Sequence, residues 1–232
     1  MSALTKALAP LDNQKDVTVT PLPLRPCNYA LIGRKGCGKT TLLLNLLERK
    51  ESPWYKYFDR IYLISPTASR DDKMRDLVED LGDQYYDTLN NDVLSEIMER
   101  IDAFKPKRRK PSFCIIYDDC IHLIKGKNSR LMDLLATQNR HRNVTNVYLL
   151  QKYNGFLPTL IRSNLDMISF FKTANKKELD SFLEEQNEDE DKLRRLYEFA
   201  TAEPYSFLHI NTYFSKPRYY KRFDEIDLKK KS

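Results

Sequence analysis

Short apolar runs alternate along the chain with longer segments whose apolar side chains recur at helical spacing. The first run, Tyr29-Ala-Leu-Ile, stops at Gly33, and Thr41-Leu-Leu-Leu-Asn-Leu-Leu-Glu follows at once in strong helix formers. That pattern predicts a strand, a glycine loop and a helix. Arg60-Ile-Tyr-Leu-Ile-Ser predicts a second buried strand closed by Ser65-Pro66, and Asp71 to Leu81 a helix stopped by Gly82. Asn91 to Phe104 is amphipathic, and Phe113-Cys-Ile-Ile-Tyr is a third apolar run leading into Asp118-Asp119. Ser129 to His141 reads as helix, Asn146-Val-Tyr-Leu-Leu as a strand ending at Gln151, and Met167-Ile-Ser-Phe-Phe-Lys as a further strand. Beyond Thr173, two polar helices around an acidic block precede Ser206-Phe-Leu-His-Ile-Asn and Arg218-Tyr-Tyr-Lys-Arg-Phe, read as a terminal strand pair. Pro21, Pro23 and Pro26 make residues 1–26 an extended arm or edge strand, with a single domain over 27–232.

Such alternation implies an α/β fold, a mostly parallel sheet covered by helices on both faces, which binds ligands at the carboxyl ends of its strands. Gly33, Asp118, Asp119 and Gln151 all fall there. Gly33-Arg34-Lys35-Gly36-Cys37-Gly38-Lys39-Thr40 matches G-x-x-x-x-G-K-[ST] between a predicted strand and a predicted helix, the context a P-loop requires. Its glycines let successive N–H groups face inward as an anion nest, extended by Thr41 at the helix start. Lys39 is expected to reach the β- and γ-phosphates of a bound nucleotide, and the Thr40 hydroxyl is the expected Mg²⁺ ligand. Asp118 ends a Walker B-like strand and supplies the carboxylate opposite Thr40. A second acid, Asp119, is not needed for metal binding and suggests a general base, which is hydrolase rather than kinase chemistry. Gln151 is placed to hold the attacking water or sense the γ-phosphate.

With these residues in order, the chain resembles P-loop ATPases of the additional-strand class, within the FtsK–HerA superfamily. The specific resemblance is to the genome-packaging ATPases of poxviruses, other large DNA viruses, virophages, Polinton-type elements and membrane-containing icosahedral viruses. The resemblance covers roughly Pro21 to Lys172 and rests on the P-loop, Ile64-Ser-Pro-Thr67, Asp118-Asp119 and the stretch from Arg140 to Gln151. Leu157-Pro and Ile161-Arg162-Ser-Asn164 extend it. The resemblance implies a trans-acting arginine finger at Arg140, with Arg142 as its neighbour and Arg162 and Asn164 as second-rank positions. It further implies a hexameric or pentameric ring that hydrolyses ATP with Mg²⁺ and drives double-stranded DNA into a preformed capsid. A capsid vertex or other virion protein would be its partner, in the host cytoplasm or virus factory, or on the virion. Asp119 stands where many relatives carry Glu, and no separate nuclease domain is expected.

Composition narrows the alternatives. The 232 residues carry 39 Lys and Arg against 33 Asp and Glu, a formal net charge of +6, which allows a polyanionic partner. The run Lys105 to Lys110, with Lys107, Arg108, Arg109 and Lys110, is the leading DNA-contact segment, and the tail around Lys216 to Lys231 the second. The acidic block from Glu184 to Asp191 reads as an exposed helical face or a neighbour's contact. Four cysteines without a C-x-x-C pair and three scattered histidines give no zinc spacing, so the cysteines are expected to be buried and reduced. Mean hydropathy is -0.62, and no apolar run approaches the ~20 residues that span a bilayer, so no integral membrane segment is expected. Met1 to Lys15 lacks a secretory pattern, so residence in the cytosol is expected. A small nucleotide kinase has little use for Asp119 with Gln151. A GTPase would need Asp where Glu178 stands in Asn175-Lys-Lys-Glu178, and an ABC-type ATPase its L-S-G-G-Q segment. A cellular-type DNA pump, and a docking protein keeping its P-loop only as architecture, remain as further classes.

Overall fold

The computed structural model describes residues 21–105, 110–123, 130–155, 157–186, 188–213 and 216–227. The apolar runs pair into one nine-stranded sheet. β1 (Asn28–Ile32) is the parallel partner of both β5 (Val144–Leu150) and β6 (Met167–Phe171). β4 (Phe113–Asp118), β2 (Arg60–Ile64) and the short β3 (Tyr85–Tyr86) continue the parallel set to one edge. On the other side β7 (Phe207–Asn211), β8 (Arg218–Lys221) and β9 (Asp224–Glu225) turn antiparallel, giving the order β3-β2-β4-β5-β1-β6-β7-β8-β9. Every residue of β1, β5 and β6 is buried, as both-faced coverage of a parallel sheet demands.

The period-2 alternation of β1 shows how the two layers are filled. Tyr29 and Leu31 face α1 (Lys39–Glu48) and α2 (Arg75–Leu81), packing with Leu43, Leu46, Leu77 and Trp54. Ala30 and Ile32 face the other layer, where α3 (Asn91–Ala103), α4 (Arg130–Thr137), α7 (Lys176–Glu185) and α8 (Glu190–Ala200) contribute Ile97, Met132, Phe182 and Leu193. Two four-residue helices, α5 (Asn139–Arg142) and α6 (Thr159–Arg162), precede β5 and β6.

The structure corrects several boundaries. The helix read from Ser129 to His141 is two helices, α4 and α5, because buried amides of the sheet take the carbonyls near the end of α4. Asn28 Nδ2 donates to Ala136 O at 2.9 Å, and Asn146 Nδ2 donates to Leu135 O at 3.0 Å and Asn28 Oδ1 at 2.8 Å. α2 begins at Arg75 rather than Asp71, since the Asp71 carboxylate accepts from Lys73 N at 3.0 Å and holds a turn there. The terminal strand pair gains a third member, β9. Residues 21–26 form no strand. They are fastened by their carbonyls instead, Pro21 O to Asn211 Nδ2 at 2.8 Å, Pro23 O to Trp54 Nε1 at 3.2 Å and Leu24 O to the Tyr57 hydroxyl at 2.8 Å. Residues 1–20 of the expected arm lie outside the described residues. The acidic block is largely consumed locally: Asp189 caps α8 through Lys192 N at 2.7 Å, Glu190 pairs with Arg194, and Glu185 with Arg162.

One buried polar chain crosses the sheet: the Tyr29 hydroxyl meets Ser169 Oγ at 2.7 Å, which meets His209 Nδ1 at 3.0 Å. Burial holds the His209 imidazole down to about 3. The unfolded chain takes this proton below its ordinary pKa of 6.5 and the folded one does not, so stability falls as pH drops from 6.5 toward 3. The expected contribution is a loss of a little over ~1 kcal/mol per pH unit in that window. Denaturant midpoints measured between pH 7 and 4 check it, with NMR expected to show a neutral His209 ring at pH 5.

Candidate nucleotide site

Gly33 follows β1, and its N–H donates to Leu150 O at 3.0 Å. The chain then curls through Gly36 and Gly38, whose φ values of 78° and 109° lie in the left-handed region. α1 starts at Lys39 with no side-chain cap and no acid in its first turn, so its free N–H groups and positive dipole end are left for an anion. Arg34, Lys35 and Gly36 are exposed, Cys37, Gly38, Lys39 and Thr40 half-buried, and Thr41 exposed. Lys39 Nζ donates to Gly33 O at 2.5 Å and Arg34 O at 3.2 Å, which draws the ammonium inside the loop. Burial lowers its pKa, while the negative neighbours Asp118 and Asp119 pull the other way.

The register of β2 against β4 sets Ile64 level with Tyr117, and so puts Ser65 beside Asp118. Ser65 Oγ donates to Asp118 Oδ2 at 2.8 Å and accepts from Ala68 N at 3.1 Å. The Ile-Ser-Pro-Thr ending was legible in the sequence, but the role of its serine was not. Burial raises the Asp118 carboxyl above its ordinary value and Asp119 adds to the shift, against the Ser65 hydrogen bond and Lys39. Asp119 takes the left-handed conformation, φ 50°, and its Oδ2 accepts from Gln151 Nε2 at 2.8 Å. The two sequence-predicted polar groups therefore touch. Hard oxygen donors at Thr40 and a desolvated Asp118 carboxylate fit a magnesium ion better than any softer metal.

Arg140, Arg142 and Asn164 lie toward the opposite end of the sheet, ahead of β5 and β6. Arg140 is 67% exposed on α5 and pairs with Asp166 at 3.7 Å. The length of β5 separates it from Gln151, about 20 Å at ~3.3 Å per residue. Arg142 is engaged by Asp102 and by Gln138, each at 3.3 Å. Arg162 is 13% exposed, and its guanidinium spans both Glu185 oxygens, at 3.0 and 2.9 Å, and Leu157 O at 2.7 Å. Asn164 Nδ2 donates to Leu160 O at 2.7 Å, and its own carbonyl accepts from Asn28 Nδ2 at 2.9 Å. Lys110 is exposed beside α5, with Nζ 3.3 Å from Arg140 O, while Lys107, Arg108 and Arg109 lie outside the described residues.

A family model described as Poxvirus A32 protein matches residues 16–196, most of the chain. The chain belongs to the poxvirus A32 family. This membership bears out the resemblance read from the P-loop, Asp118-Asp119 and the Arg140 to Gln151 stretch. No curated protein matches the chain in sequence. Among solved structures, the A32-family chain is similar to B204, the DNA-packaging ATPase from Sulfolobus turreted icosahedral virus, at 21% identity and a TM-score of 0.59, covering 84% of this chain and 98% of that one. It is also similar to the genome-packaging NTPase B204 of Sulfolobus turreted icosahedral virus 2 in complex with AMP, at 19% identity and a TM-score of 0.59, covering 84% and 96%. The pCW3 conjugation coupling protein TcpA, solved with ATPγS, shares 12% identity and a TM-score of 0.59, with 87% and 62% covered. These likenesses are of fold, the mostly parallel, helix-covered sheet that the alternation of strands and helices predicted.

A methyl group at Gly33 would lie 2.7 Å from both Cys37 Sγ and Phe171 Cβ. Gly33→Ala in this A32-family chain is therefore expected to lower folding stability by about 1–3 kcal/mol, read from its denaturation midpoint. Ser65→Ala removes the donor that orients Asp118 and is expected to raise the Mg²⁺ concentration for half-maximal hydrolysis roughly tenfold.

Proposed function

We propose that the chain is an ATP-hydrolysing motor that moves double-stranded DNA into a preformed viral capsid. The observation that carries this reading is the convergence of Lys39, Asp118, Asp119 and Gln151 on the mouth of an uncapped, glycine-bound helix terminus in an A32-family chain. The loop N–H groups and Lys39 hold the β- and γ-phosphates. Thr40 and Asp118 would hold Mg²⁺, which when bound neutralises charge on the phosphate oxygens. Asp119 accepts the proton of the attacking water, and the Gln151 amide, already donating to Asp119, fixes the carboxylate's direction and leaves its own carbonyl for the water.

Arg140 is too far from its own P-loop to reach the nucleotide held there, so its role is to complete the site of the next subunit in a hexameric or pentameric ring. Exposure of its side chain, about two-thirds of which faces solvent despite the Asp166 pair, supports that role. Lys110 lies at the same sheet end, beside Arg140, and the basic run Lys107 to Lys110 is proposed to meet DNA phosphates. Capsid-vertex proteins in the host cytoplasm or virus factory would be the docking partners.

The test is steady-state ATP hydrolysis over a range of protein concentrations, with and without linear double-stranded DNA. The rate per chain is expected to climb with both. Arg140→Ala is expected to reduce it roughly 1,000-fold while ATP still binds. Asp119→Asn is expected to cost about 100-fold or more, again with binding kept. A rate indifferent to concentration and DNA, and unmoved in Arg140→Ala, would overturn the motor.

A further inference from the structure

The groups aimed at phosphate stand on one side of β1. Asp118, Asp119 and Gln151 follow β4 and β5, whereas β6 and β7 lie on the other side of β1. A nucleoside triphosphate whose γ-phosphate faces Asp119 and Gln151 must therefore run along the glycine loop and leave its nucleoside on the β6 side. On that side a cleft of about 480 Å³ opens against the loop, walled by Cys37, by Phe171 at the end of β6, and by Pro204 and Tyr205 from the turn between α8 and β7. Its lining is mainly apolar.

Tyr205 projects from its turn toward the glycine loop rather than into the core. It is 71% exposed, and its backbone holds φ 59°, a conformation bulky side chains rarely adopt and one that concentrates at ligand sites. The turn that presents it is pinned from behind. Lys221 pairs with Glu203 at 2.7 Å, Arg222 Nε donates to Ser206 Oγ at 3.0 Å, and Ser206 N donates to Glu203 O at 3.2 Å. The ring reaches the loop itself: a Cβ built on Gly38 would lie 3.5 Å from Tyr205 Cδ1 and 3.7 Å from Phe171 Cε1.

Resting on the nucleotide-binding reading above, we infer that this cleft is the base subsite and that Tyr205 is the face on which the base of the nucleoside triphosphate stacks. A preset aromatic face takes a base without having to be ordered on binding, which is where such a site gains affinity. Glu203 and Ser206 are already engaged by Arg222 and Lys221, so the ring rather than these side chains meets the base.

Calorimetric titration of the full chain, in the presence of Mg²⁺, with ATP and separately with inorganic tripolyphosphate tests this. Tyr205→Ala is expected to weaken ATP binding roughly tenfold and leave tripolyphosphate within about twofold, while Tyr205→Phe keeps the affinity for ATP. Tyr205→Ala binding ATP as the wild type does would overturn the inference. So would an equal loss of ATP and tripolyphosphate, which would make the residue a support of the loop. Wild-type chain that binds tripolyphosphate no less tightly than ATP would remove the base subsite and leave the phosphate site standing. Binding of neither would remove the nucleotide reading itself.

Discussion

Because β1 is hydrogen-bonded in parallel to β5 on one side and β6 on the other, Ile32 lies level with Leu150 and with Phe170. The residues that follow these three, Gly33, Gln151 and Phe171, are thereby brought abreast before any side-chain contact is made. β4 joins the same alignment, with Asp118 level with Leu149, and β2 delivers Ser65 one strand further out. A slip of one residue in any of these ladders would turn apolar side chains from one layer into the other and carry a functional residue off the edge. The hydrophobic layers thus enforce the register, and the register composes the site.

The same parallel arrangement creates a second, opposite edge, where Arg140, Asp166, Asn164 and Lys110 gather. Its centre is the Asn28–Asn146 amide pair, buried at the start of β1 and β5 and joined to the carbonyls of α4. Asp166 accepts from Asn28 N at 2.8 Å while pairing with Arg140, so the exposed arginine is anchored on the core strand through one carboxylate. A chain built this way has its glycine loop and the Asp119–Gln151 pair on one rim and the Arg140–Asp166 pair on the other.

What the sequence made legible follows from range. The P-loop is a local arrangement, so spacing and the flanking apolar runs revealed it, and strand-end positions of Asp118 and Gln151 could be read from where each apolar run stops. The hydrogen bond between Asp119 and Gln151 needed the β4–β5 register and the left-handed turn at Asp119, neither of which has a local signature. The split of α4 from α5 was hidden for the same reason, since the amides that end α4 come from residues 28 and 146. Arg162 shows the converse. Its sequence context matched a motif, yet the structure spends its guanidinium on Glu185 and Leu157 O, partners more than a turn away that no spacing rule selects. Tyr205 lay outside every motif because its significance is a matter of exposure and position beside Gly38.

Trp54 is the single tryptophan of the chain, 1% exposed, edge-on to Tyr29 and bonded through its indole N–H to Pro23 O. It therefore acts as a built-in optical gauge for one joint. Detaching residues 21–24 from the α1 layer would strip that carbonyl from the indole and admit water, shifting its emission to the red without a label. The intrinsic fluorescence of this protein reports on whether the segment leading into β1 is seated, and says little about the far side of the sheet.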